Sequence, residues 1–129
     1  MMIETLDHFT VATNDLDASR GFYVGLLGLV EGERPPFETP GAWLYGGAAP
    51  LVHLVVREGG GAASTGALDH IAFRARGLAD MVARLEAAGL AYRLQRVPGP
   101  GLRQVFVTDP DGVRVELTFA ADERLPGEA

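Results

Sequence analysis

The sequence predicts an α+β fold in which two βαβββ repeats build a concave mixed sheet. The tripeptide Leu6-Asp7-His8 returns 62 residues later as Leu68-Asp69-His70. The run Leu51-Val52-His53-Leu54-Val55-Val56 is answered at almost the same offset by Arg114-Val115-Glu116-Leu117-Thr118-Phe119. Each half-chain also reads, in the same order, as strand, helix and three strands, and self-similarity of this kind marks a duplicated unit.

Residues 3–12 alternate as a strand does, with Phe9 and Val11 on one side and His8 on the other. Asn14 or Asp15 caps a helix over residues 15–27, in which Leu16, Ser19, Phe22 or Tyr23, and Leu26 recur at helical spacing until Gly28 ends it. A short strand at 29–32 leads into Arg34-Pro35-Pro36-Phe37-Glu38-Thr39-Pro40-Gly41, where three prolines forbid regular structure. Strands at 42–45 and 51–57 then form a hairpin across Gly46 to Pro50, with His53 in the middle of the second.

Residues 58–66, with four glycines and no large apolar side chain, read as a flexible linker between a first repeat at 3–57 and a second at 67–119. The pattern then starts again. Residues 67–74 form a strand. Leu78, Met81, Val82 and Leu85 make a helical stripe that stops at Gly89. Strands follow at 91–94, 102–108 and 113–119, the last two joined by the turn Asp109-Pro110-Asp111-Gly112. The polar tail 120–129 is expected to fray.

The chain of 129 residues is expected to be a single domain. No apolar run approaches the ~20 residues needed to span a bilayer, and the start Met1-Met2-Ile3-Glu4 is unlike a secretion signal, so a cytoplasmic protein without a membrane partner is expected. The net charge of −6 comes without any basic block, which argues against nucleic acid. Cysteine is absent, all 11 basic residues are Arg, and the only serines are Ser19 and Ser64, so covalent catalysis by Ser, Cys or Lys is nearly closed off. Chemistry falls to His, Glu, Asp, Tyr or a metal.

His8, His53 and His70 are all the histidines of the chain, and with Glu116 they occupy equivalent places in the two repeats. Strand alternation puts Val115, Leu117 and Phe119 on the core side and Glu116 on the concave side, and treats His53 likewise. A lone strand histidine is commonly structural. Three at repeat-equivalent positions together with a carboxylate predict instead a site for a divalent transition metal, Zn, Ni, Fe, Mn or Co, formed by His8, His53, His70 and Glu116. Trp43 and Tyr45 share one strand face and either flank a substrate or belong to the core. Arg103 is a candidate partner for a substrate carboxylate or phosphate, against its reading as a surface residue.

Leu-Asp-His at each repeat start, Phe22-Tyr23 followed by Leu27-Gly28-Leu29, and Asp109-Pro110-Asp111-Gly112-Val113-Arg114-Val115-Glu116-Leu117 together resemble the vicinal oxygen chelate superfamily, which includes glyoxalase I, bleomycin-resistance proteins and extradiol dioxygenases. The resemblance covers residues 3–119. It implies the glyoxalase/bleomycin resistance/dioxygenase fold, a metal in the concave cup and a homodimer. His8, His70 and Glu116 match the ligand positions of the catalytic members, while His53 stands where many glyoxalases have Glu. The activity implied is that of a lyase or isomerase on a small oxygenated metabolite chelated through adjacent oxygens, with Glu116 or His53 moving the proton. The alternatives are an Fe(II) extradiol-type dioxygenase, with His53 as a nearby acid/base, and a metal-free drug-binding protein.

Overall fold

The computed structural model describes residues 2–59 and 65–128. The chain divides into two compact units, Met1–Gly61 and Ala62–Ala129. Of the predicted linker, residues 60–64 lie outside the described residues.

The first unit holds β1 (Phe9–Thr13), α1 (Leu16–Arg20) continued by a wider helical segment over Gly21–Leu26, β2 (Val30–Gly32), β3 (Gly41–Gly46) and β4 (Ala49–Val56). The second holds β5 (Ile71–Arg74), α2 (Leu78–Ala87), β6 (Arg93–Arg96), β7 (Arg103–Thr108) and β8 (Arg114–Phe119). Among the described residues the strands form two four-stranded sheets ordered β1-β4-β3-β2 and β5-β8-β7-β6. In each, the first strand runs parallel to the last and the other pairings are antiparallel. The duplication therefore extends to strand order and direction, and the two βαβββ modules are those the sequence predicts. No helix among the described residues is long and apolar enough to cross a membrane.

Asp15 caps α1, its side chain accepting from the Ala18 N–H at 3.0 Å. Past Gly21 the coil widens: the Leu27 N–H donates to the Phe22 carbonyl, five residues back, at 3.0 Å. Both Phe22 and Tyr23 are buried, where a regular helical stripe takes one of two neighbours. Gly28, at φ +85°, ends the segment.

In α2 the stripe Leu78, Met81, Val82 and Leu85 is buried as its spacing requires. Each such side chain contributes ~1.5–3 kcal/mol on burial. The helix ends in paired bonds from Leu90 N–H to Leu85 O and from Gly89 N–H to Glu86 O, both 3.0 Å, with Gly89 at φ +70°.

Three strand boundaries and the tail differ from expectation: β6 lies at Arg93–Arg96 rather than 91–94, where its ladder with β7 runs from Phe106 to Arg103, and the two opening strands start late. The opening strands begin at Phe9 and Ile71 rather than at residues 3 and 67, so His8 and His70 each stand just before a ladder. In the first half, continuing the register Phe9 to Val52 would bring Asp7 opposite Pro50, which has no N–H to donate. In the second, the Val113 N–H opposite Asp69 is already taken by the Asp109 side chain at 2.8 Å.

The tail is tied down, not frayed. Glu123 accepts from the Gly77 and Leu78 N–H groups at 3.0 and 2.7 Å and so caps α2, whose own sequence offers no capping side chain. Arg103 is neither a surface residue nor free for a substrate. It is 3% exposed and grips both Glu128 carboxylate oxygens at 2.9 Å, a bidentate pairing that its planar fork favours. That guanidinium pulls the Glu128 carboxyl down to about 2.

Candidate metal and substrate site

In the first half, pairing across β1, β4 and β3 aligns Thr10, His53 and Trp43 in one row, so their side chains rise from the same face. The His53 ring is sandwiched: Trp43 lies 3.9 Å from it with planes inclined by 12°, and His8 lies 3.7 Å away on the other side, inclined by 13°. His53 is 8% exposed and its Nε2 is buried without a hydrogen-bond partner. Burial, followed by the neighbouring His8, lowers its pKa, although a hydrogen bond with the Pro50 carbonyl and the nearby Asp7 oppose the shift. Burial thus disfavours protonation of His53, and its Nε2 finds no partner among the described residues.

A ring nitrogen binds a metal in the plane of its ring at about 2.0–2.1 Å. Planes inclined by 13° do not converge within that distance, so the stack offers a metal the nitrogen of His8 or of His53, and both only if one ring turns.

Around this row lies a pocket of about 500 Å³. The proline-rich segment after β2 walls it with Arg34, Phe37 and Thr39. Trp43 faces this cavity rather than the core. Tyr45 packs over Gly32 and donates to the Glu33 carbonyl at 2.6 Å.

In the second half, His70 and Glu116 meet. His70 Nε2 lies 3.2 Å from Glu116 Oε1, and the other Glu116 oxygen accepts from the Thr118 hydroxyl at 2.6 Å. Phe106, opposite Glu116 in the ladder, meets the His70 ring edge-on at 5.9 Å. Arg114 lies over Phe106 and 3.4 Å from Asp69. The hydrogen bond from His70 and the charge of Arg114 lower the Asp69 pKa.

The two Leu-Asp-His copies share one device: His8 Nδ1 is 2.7 Å from Asp7 Oδ2, and His70 Nδ1 is 2.7 Å from Asp69 Oδ2. A carboxylate only accepts, so the proton sits on Nδ1 and the Nε2 lone pair is turned outward. Metal-ligating histidines are oriented in this way by a carboxylate behind them. Asp7 and Asp69 were visible in the sequence only as motif letters, though their place beside histidine in both repeats was a signal. Strand alternation places Thr118 on the same face as Glu116, whereas nothing in the sequence marked Arg34 or Phe37 beyond their place in the proline-rich loop.

These residues fit a divalent cation. Two donor atoms each about 2.1 Å from one cation stand roughly 3.0–3.4 Å apart, and the His70 to Glu116 separation of 3.2 Å falls in that range. With Nδ1 already donating to Asp69, His70 needs either a second proton or a cation between Nε2 and Glu116. Among the described residues, no group of three or more ligating side chains that could hold a metal ion is gathered, so the predicted set of His8, His53, His70 and Glu116 is represented by the His70–Glu116 pair alone.

Residues 5–117 match the model of the glyoxalase/bleomycin resistance protein/dioxygenase superfamily. Glyoxylase I 4 of Arabidopsis thaliana is 29% identical over 122 residues, covering 89% of this chain and 70% of that protein. A glyoxalase family protein of Bacillus anthracis superposes with a TM-score of 0.76 at 22% identity, over 93% of this chain and 98% of its own. Lactoylglutathione lyase of Agrobacterium tumefaciens superposes at 0.66 and 19%, over 94% and 97%. By motif, duplicated topology and these matches, the chain belongs to the glyoxalase/bleomycin resistance protein/dioxygenase superfamily.

Proposed function

We propose that the chain is a metal-dependent lyase or isomerase acting on a small oxygenated metabolite, working as a single-domain subunit of a cytoplasmic homodimer. The observation that carries this reading is the His70 to Glu116 pair, spaced as two ligands of one cation and backed by Asp69. His8, oriented by Asp7 in the same way, is the corresponding candidate ligand of the first half. The names of two relatives, a lactoylglutathione lyase and a glyoxylase I, support the reaction class.

A bound divalent ion, Zn, Ni, Fe, Mn or Co, supplies Lewis acidity toward two adjacent oxygens of the substrate. The chain's own groups do the rest. Asp7 and Asp69 keep the Nε2 lone pairs of His8 and His70 available. Thr118 donates to one Glu116 oxygen and leaves the other to bind the cation or to take a proton. His53, whose protonation burial disfavours, is a general base among the pocket side chains once its ring turns Nε2 toward the cavity.

Metal analysis after reconstitution with each ion tests the reading. Near-stoichiometric binding that His70→Ala abolishes is expected. Less than about a tenth of an equivalent of any transition metal, unchanged by His70→Ala, overturns it and leaves a metal-free binding protein. Catechol cleavage after anaerobic iron loading would replace the lyase or isomerase with an extradiol-type dioxygenase.

A further inference from the structure

We propose that the pocket of the first half binds an aromatic carboxylate and that Arg34 receives the carboxylate. The inference deepens the proposed function by naming a substrate class; it rests on that reading for the reaction and on the pocket alone for binding.

Among the described residues, the arginines that are at least partly buried are Arg20, Arg34, Arg103 and Arg114. Arg20 pairs with Glu31 at 2.8 Å, Arg103 with Glu128 at 2.9 Å and Arg114 with Asp69 at 3.4 Å. Arg34 alone of these has no carboxylate within ion-pair distance among the described residues. Its guanidinium is nevertheless fixed. Nη2 donates to the Thr39 carbonyl at 2.7 Å, the Phe37 ring centre lies 5.2 Å from Cζ, and the group rests against Gly41, where a Cβ would stand 3.0 Å from Nη2. Nε is buried and donates to nothing. A guanidinium held rigid, partly stripped of water and without a carboxylate partner among the described residues is costly for the free protein, and an anion at its Nη groups relieves that cost.

The walls define the rest of the ligand. Phe37 is 56% exposed, and its ring stands 6.5 Å from that of Trp43 with planes inclined by 43°, so a flat apolar body laid against the two rings covers surface that water now wets. Arg57 adds a second cation to the lining, and Asp7, the acidic group there, is engaged by His8. The pocket is therefore net cationic and aromatic-walled. Its volume of about 500 Å³ suits a small molecule.

Trp43 is the only tryptophan, so its fluorescence reports on this pocket alone. Chelator-treated protein is titrated with phenylacetate, with neutral phenylacetamide and with acetate, which lacks the ring. Phenylacetate is expected to bind at least about tenfold more tightly than either of the others, the effect of one charge-assisted contact. Arg34→Gln should erase the preference for acid over amide, and Arg34→Lys should keep part of it. Phe37→Ala, an exposed change, should weaken both aryl compounds, the acid at least as much as the amide because the ring also braces the Arg34 guanidinium. Equal binding of acid and amide, a preference that survives Arg34→Gln, an unaltered aryl affinity in Phe37→Ala, or no Trp43 response to any compound at millimolar concentration overturns the proposal. Because metal is absent throughout, these outcomes are independent of whether the metal reading stands.

Discussion

Replacing Glu123 by alanine removes the carboxylate that caps α2 from 45 residues away in the chain. The perturbation is local, since the side chain meets the Gly77 and Leu78 N–H groups at 3.0 and 2.7 Å, the ends of a helix with no other capping side chain. One cap is worth ~1 kcal/mol, and a negative charge at a partly exposed helix N-terminus adds ~0.5 kcal/mol. The expected loss is therefore about 1.5 kcal/mol. For a chain of this size that lowers Tm by roughly 5–9 °C. Glu123→Gln keeps an acceptor but not the charge, so it should lose only the smaller share. Urea denaturation measures the total, and amide hydrogen exchange at Gly77 and Leu78 localises it. A loss below about 0.3 kcal/mol, or unchanged exchange at those two amides, would refute the reasoning.

Asp69→Ala and Asp7→Ala should each weaken metal binding by roughly 10–100-fold, read by calorimetric titration, because the histidine behind which each carboxylate stands loses its preferred tautomer. The Arg103 to Glu128 clasp carries a pH signature. Its carboxyl is depressed from 4.5 to about 2, so the stabilisation is complete above the unfolded value and is lost as pH falls from about 4.5 toward 2. Protection of the Leu125 amide relative to its intrinsic exchange rate, maintained by its 2.7 Å bond to Glu128, should fall across that window, and Arg103→Gln should remove the dependence. Gly41→Ala drives a Cβ into the Leu54 carbonyl and against Arg34, so a loss of at least about 2 kcal/mol in denaturation is expected, together with a shift of Trp43 emission.

The amino-acid sequence determined the duplicated βαβββ order, the buried stripe of α2 and the turns at Gly28 and Gly89, and it singled out His8, His53, His70 and Glu116 as candidates. Each of these is written in local periodicity or in a residue type repeated at a fixed offset, and local backbone physics suffices to read it. Tertiary structure decided what depends on partners distant in the chain. Glu123 reached α2 and Glu128 reached Arg103, so a tail that is polar by composition became a clasp. The opening strands stopped short of His8 and His70 because their neighbours had no N–H left to give, and that freed each histidine to turn toward its own Asp. Stacking of His8, His53 and Trp43 follows from ladder register, which no single strand records. Arg34 illustrates the limit most directly: in the sequence it is an ordinary loop arginine, and only the fold shows that, among the described residues, every other arginine buried to a similar degree has a carboxylate while this one has none.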